Sequence, residues 1–266
     1  ADLNQYAITW GEPNLRQAIT EKFAWYNGVA IDPEREITVC CGATEAMISS
    51  LMAIVNSGEE VIVFEPFYEN YGPDTILCNA NPRFITLHEP DWHFDEKELT
   101  KAFNNKTKAI IINNPCNPTG SLYAKKVLEE VASIACEADC YIIADEIYED
   151  LVYGEKHISV ASLKGMKDHA IVISGFSKGF AMTGWRLGFA CGNSEVIGAM
   201  MKVHQYSIMC APTPSQAAAV VALRNRQAAY AVDKMRREYD RRRKLIVGGF
   251  NKMGLTCHTP HGAFYA

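Results

Sequence analysis

Short β-branched runs alternate with amphipathic stretches along this chain, and no other feature restricts its fold so sharply. The runs are Glu36–Cys41, Glu60–Phe64, Arg83–Thr86, Ala109–Ile112, Cys140–Ala144, Ala170–Ser174 and Leu187–Cys191. Helical spacing marks Leu15–Tyr26, Thr44–Asn56, Ala124–Ala138, Ser194–His204, Pro214–Leu223 and a long stretch near Gln227–Asn251. Strands separated by helix-length spacers pair through crossovers, so the pattern predicts an α/β protein with a mostly parallel sheet. A last strand-like run, Leu255–Thr259, follows the long helix, where the one plausible domain boundary falls.

With 266 residues, 48% of them apolar, the chain can bury a sizeable core. Twenty-six basic against 31 acidic residues leave a net charge of −5, which gives no reason to seek nucleic acid or acidic lipid. Within the long helix, Lys234, Arg236, Arg237, Arg241, Arg242, Arg243 and Lys244 resemble a nucleic-acid stripe. Tyr230, Met235, Tyr239, Leu245 and Ile246 interleave with them, which favours a solvated helix face. No apolar run approaches the roughly 18 residues of a membrane span, and no leader opens the sequence. Nine cysteines without a C-x-x-C pair fit a reducing, cytoplasmic compartment. His258 and His261 are three apart with Pro260 between them, and no metal is expected.

Ligands of parallel sheets gather at the carboxyl ends of strands, and four such ends carry unusual chemistry. Gly42-Ala43-Thr44-Glu45-Ala46 follows the first run, where backbone N–H groups and the Thr44 hydroxyl suit a phosphate; an ordinary turn with Thr44 as helix cap fits equally. Asn113-Asn114-Pro115-Cys116-Asn117-Pro118-Thr119-Gly120 is a rigid turn that aims a carboxamide, or simply an Asx/Pro turn. Asp145 directly follows an apolar strand, where a carboxylate requires a cation or donors, and Tyr148 lies three residues on. The strongest is Gly175-Phe176-Ser177-Lys178-Gly179-Phe180-Ala181-Met182-Thr183-Gly184-Trp185-Arg186-Leu187-Gly188. A lysine at a sheet end suits a carbonyl adduct, and an arginine suits a bidentate grip on phosphate.

That last string resembles the pyridoxal-phosphate attachment signature of class I/II aminotransferases of fold type I. Gly42–Ala46, Glu65-Pro66-Phe67-Tyr68, Asn117-Pro118-Thr119-Gly120 and Ala144-Asp145-Glu146-Ile147-Tyr148 occur in that family's order, and Asn4-Gln5-Tyr6 with Gly11 through Ile19 resembles its opening segment. The resemblance implies pyridoxal 5′-phosphate as cofactor, amino acid and 2-oxo acid as substrates, and a homodimer. Lys178 would bind the cofactor covalently and then move the substrate proton, Asp145 would pair with the ring nitrogen, and Tyr148 and Asn117 would reach the phenolic oxygen. Tyr68 would stack on the ring. Ala43, Thr44, Ser177 and Arg186 would hold the phosphate, and Tyr6 would reach the neighbouring subunit's phosphate. The Asn117–Pro118 bond is expected to be cis.

Two reactions compete on this scaffold, transamination and C–S β-elimination, and a non-enzymatic cofactor sensor is a third reading. Gly175 stands where many relatives carry Ser, and Ser174 should point to the other strand face. The stretch His204–Gln216 contains no arginine, which weighs against a strict aspartate enzyme. The resemblance divides the chain into a large domain, 1–235, and a connecting helix with the start of a truncated small domain, 236–266. It sets the arginine for the substrate carboxylate beyond the Gly262–Tyr265 run, so the chain is expected to bind cofactor but to transaminate poorly.

Overall fold

A computed structural model describes residues 3–266. The seven predicted runs form β1 (Ile37–Cys40), β2 (Glu60–Glu65), β3 (Asn81–Thr86), β4 (Thr107–Asn113), β5 (Tyr141–Asp145), β6 (Ala170–Gly175) and β7 (Gly188–Cys191). They make one sheet in the order β1-β7-β6-β5-β4-β2-β3. Strands β2 to β6 pair in parallel, while β7 runs antiparallel to both β1 and β6.

The helices are α1 (Pro13–Lys22), continued by a wide turn at Phe23–Asn27, then α2 (Ala43–Ile54), α3 (Tyr71–Leu77), α4 (Glu96–Ala102), α5 (Lys125–Glu137), α6 (Ser194–Ser207), α7 (Thr213–Arg224) and α8 (Arg226–Lys252). Strand residues alternate between two cores. Ile62, Ile110, Ile142 and Val172 pack with Leu15, Leu99, Leu128 and Ala219 of α1, α4, α5 and α7. Val63, Ile111, Ile143 and Ile173 pack on the other face with Met47, Leu51, Ile197 and Met200 of α2 and α6. Burial on both faces explains why β4 reads as the unbroken run Ile110-Ile111-Ile112, at most 2% exposed. Truncating any of the three to Ala should cost about 2–5 kcal/mol.

Two short helices escaped the periodicity. In α3 the Gly72-Pro73 pair sits in the first turn, and in α4 seven residues give too little period, although the Asp95-x-x-Glu98 spacing is a start signal. Asp95 accepts the N–H groups of Lys97 and Glu98 at 2.7 and 3.3 Å. The run Leu255–Thr259 is not a strand. Asn251 occupies the backbone of Cys257 instead, accepting its N–H at 3.0 Å and donating to its carbonyl at 2.9 Å. Beyond it, Gly262 N–H donates to Gly120 O and Ala263 N–H to Leu151 O, docking the final residues on the sheet's carboxyl edge.

The expected domain boundary at 235/236 falls inside α8. Six of its basic residues are laced to acids on the same helix: Arg236 and Arg237 to Asp233, Arg241 and Arg242 to Glu238, and Arg243 and Lys244 to Asp240. The nine cysteines are free thiols. Among the described residues no helix is long and apolar enough to cross a membrane.

Candidate active site at the carboxyl edge of the sheet

Four strand ends converge on one cavity of about 220 Å³. Strand β1 delivers Ala43 and Thr44, β4 delivers Asn113 and Asn117, β5 delivers Asp145 and Tyr148, and β6 delivers Ser177 and Lys178. Tyr68 and Arg186 complete the expected set. Tyr6 does not line the cavity and stands 80% exposed.

The glycine turn after β1 is shaped for close approach. Gly42 adopts φ +88°, and a Cβ there would stand 2.6 Å from Arg186 Nη2. A Cβ on Gly188 would meet Ala43 N at 2.5 Å, so this corner has no room for side chains. Thr44 is no cap: Gly42 holds the cap position of α2, leaving the hydroxyl at the cavity. Arg186 itself sits at φ +50°, a left-handed conformation that costs a non-glycine residue roughly 1 kcal/mol. Its Nη1 donates to Thr183 O at 2.8 Å and its Nη2 to Cys41 O at 3.5 Å.

On the opposite side, Asp145 ends β5 in register with Asn113 of β4 and Ile173 of β6. Its carboxyl group is buried, and burial pushes its pKa up, opposed by hydrogen bonds from Tyr71 and the Ile147 N–H and by the charge of Lys178. Lys178 is half-buried, and burial lowers its pKa against the attraction of Asp145, with Arg186 lowering it further. Its Nζ stands 5.6 Å from the ring centroids of Tyr148 and Phe264. Burial and the Tyr265 hydroxyl both push the Tyr148 phenol up. Asn113 pins the amide-rich turn, accepting the Asn117 N–H at 2.6 Å while donating to Asp145 O at 3.0 Å. Asn117–Pro118 is cis, as expected.

Ser174 points away from the cavity as anticipated, donating to Glu149 Oε1 at 2.7 Å. Gly175 is more than a missing hydroxyl, because a Cβ there would lie 2.8 Å from Gly188 Cα and 2.9 Å from Leu187 O. Two functional-looking residues escaped sequence reasoning. Tyr71 donates to Asp145 Oδ2 at 2.8 Å, and Tyr265 shares a 2.7 Å hydroxyl contact with Tyr148. Nothing local pointed to either, because each acts through a partner distant in sequence.

A buried acid and a lysine on one cavity, with a tight glycine corner beside an arginine, make a chemically equipped pocket suited to an anionic ligand. Comparison with known proteins makes the assignment specific. The family "Aminotransferase class I and II" matches residues 1–266. An aspartate aminotransferase of Pyrococcus abyssi is 46% identical over 265 residues, spanning 99% of this chain and 68% of that protein. An aromatic-amino-acid aminotransferase of Thermococcus litoralis is 42% identical, spanning 99% of this chain and 68% of its own length. The crystal structure of an aromatic aminotransferase from Pyrococcus horikoshii matches with a TM-score of 0.96 at 43% identity, covering 98% of this chain and 70% of that one. The chain belongs to the class I and II aminotransferases and has their type I fold, spanning about 68% of the length of the relatives it matches. It is a transaminase, of a family that works with pyridoxal phosphate.

Proposed function

We propose that this cavity is where pyridoxal 5′-phosphate binds and where an amino group passes between an amino acid and a 2-oxo acid. The observation that carries the reading is Asp145 and Lys178 lining one cavity whose glycine-walled corner holds Arg186. The donor set suits the cofactor: cation, hydroxyls and helix N–H groups for the phosphate, and a buried carboxylate for the pyridine nitrogen. Bound there, the cofactor supplies an electron sink for the bond broken at substrate Cα.

Arg186, Ser177, Thr44 and the Ala43 N–H anchor the phosphate end. Asp145 would keep the ring nitrogen protonated, and Tyr68, on the same cavity, would cover one ring face. Asn117 and Tyr148 donate to the ring oxygen. Lys178 Nζ would be the attachment point for the cofactor, and its free amine would take the substrate Cα proton and return it at the adjoining carbon. Its lowered pKa supports that role, because a base needs an unprotonated fraction near neutrality.

The protein acts as a cytoplasmic homodimer in which the exposed Tyr6 serves the partner's phosphate. Residues 1–235 form the cofactor-binding unit, and 236–266 the connecting helix and the beginning of a second. Relatives are named for aspartate and for aromatic amino acids, so the substrate class is taken no further than amino acids. Borohydride reduction of cofactor-loaded protein followed by peptide mapping tests the site. Label on Lys178 is expected, and label on any other lysine overturns the assignment.

A further inference from the structure

We propose that Glu45 and His204 are positioning residues for the phosphate corner: His204 holds the Glu45 carboxylate turned away from the anion site, and Glu45 in turn holds the backbone of the corner. The inference rests on the cofactor reading above. Glu45 lies in the first turn of α2, at the same helix terminus whose free N–H groups and neighbouring Arg186 would receive a phosphate. A carboxylate on a helix N-terminus competes with a bound anion for the same N–H groups and the same cation. Here it is engaged elsewhere. Glu45 Oε2 accepts the Cys41 N–H at 2.5 Å, and Oε1 accepts from His204 Nδ1 at 2.5 Å.

The two bonds act on opposite needs. Cys41 precedes Gly42, and its N–H has no strand or helix partner, so Glu45 satisfies it while Arg186 takes the Cys41 carbonyl at 3.5 Å. The residue before the glycine is thus gripped from both sides. His204, in the last turn of α6, is fully buried, and its Nε2 has no hydrogen-bond partner. Burying a ring nitrogen unpaired is a cost that a space-filling residue such as Leu would not carry, so the imidazole is present for what Nδ1 does.

Cys40 Sγ lies within 4.8 Å of both groups, which raises the question of a metal ion. Two ligands of one tetrahedral zinc stand roughly 3.3 Å apart. The His204–Glu45 contact at 2.5 Å is shorter than that and is a hydrogen bond.

The readout is discrimination between pyridoxal 5′-phosphate and pyridoxal, which differ only in the phosphate, titrated separately into cofactor-stripped protein. His204→Ala frees Glu45 to reach Arg186, so affinity for the phosphorylated form falls about 10- to 100-fold while pyridoxal affinity stays within about twofold. His204→Asn, which keeps a donor near the Nδ1 position, restores most of the difference. Adding Glu45→Gln to His204→Ala removes the competing charge and also recovers phosphate preference. Met200→Ala, equally buried in α6, loosens the same helix and leaves the ratio unchanged, separating positioning from general instability. Equal weakening of both ligands by His204→Ala, or the same change of ratio in Met200→Ala, overturns the proposal. Wild-type protein with no preference for the phosphorylated form would instead sink the cofactor reading itself.

Discussion

The Tyr71 hydroxyl donates to Oδ2 of Asp145 at 2.8 Å while the Ile147 N–H donates to Oδ1 at 3.1 Å, so each oxygen of this buried carboxylate has a donor. Burial raises the Asp145 pKa, and the tyrosine is foremost among the groups pulling it back. Tyr71→Phe removes that pull, so the pKa rises further and the ionised form is lost at a higher pH. The acid limb of the pH–rate profile should move upward, and kcat/KM near neutrality should fall about 5- to 30-fold, as expected for a charge-assisted bond of about 1–2 kcal/mol. A profile superimposable on wild type would show that Asp145 ionisation does not limit turnover.

Tyr265 is expected to tune Tyr148 rather than to bind substrate alone. Its hydroxyl lies 2.7 Å from that of Tyr148 and helps to keep the phenol protonated. In Tyr265→Phe, Tyr148 should ionise at a lower pH than in wild type, though burial still holds it above an ordinary tyrosine. Ultraviolet difference titration of the variant, with Tyr148→Phe as reference, measures the displacement.

Placing a serine at Gly175, as the family resemblance suggests, should harm this chain. The new Cβ would meet backbone atoms of Gly188 and Leu187, which cannot rotate aside. Gly175→Ser is expected to lose about 1–3 kcal/mol in denaturant unfolding and to weaken cofactor affinity, because β7 must shift beside the phosphate corner. Tighter cofactor binding without loss of stability would show that the strands can part.

His157 supplies a pH-dependent stability term. Burial lowers its pKa from 6.5 to about 4, against the attraction of Glu149 and with Lys22 and Lys156 lowering it further. A base with a depressed native pKa takes up its proton on unfolding, so the neutral ring's contribution is complete above about pH 6.5 and drains away toward pH 4. The loss amounts at most to about 3 kcal/mol. Glu146, 3.6 Å from the ring and itself raised by burial, contributes with the opposite sign, so the comparison must be differential. The stability gap between wild type and His157→Phe should narrow as urea unfolding is repeated at falling pH.

Strands were legible because both sheet faces are covered, which makes β4 and β6 continuous apolar runs bounded by turn residues. Lys178 and Arg186 were legible because one contiguous loop carries both. Tyr71 and Tyr265 were not, since each matters through a partner 74 or 117 residues away that only the folded sheet brings near. His204 faced the same obstacle, 159 residues from Glu45. Leu255–Thr259 shows the converse: alternation alone does not make a strand where a side chain has already claimed the backbone.

The reversal of β7 has a consequence for how this protein can vary. Chain leaving the sheet at Gly175 re-enters it at Gly188, directly opposite on the same rung. Lys178 and Arg186 therefore ride on a loop whose two ends are fixed to each other, and the number of residues between them works as a gauge block. One residue added or removed there would re-space amine and guanidinium while every strand stayed put. Length changes are affordable at the exposed His88–His93 turn, far from any such gauge, and not between Phe176 and Leu187.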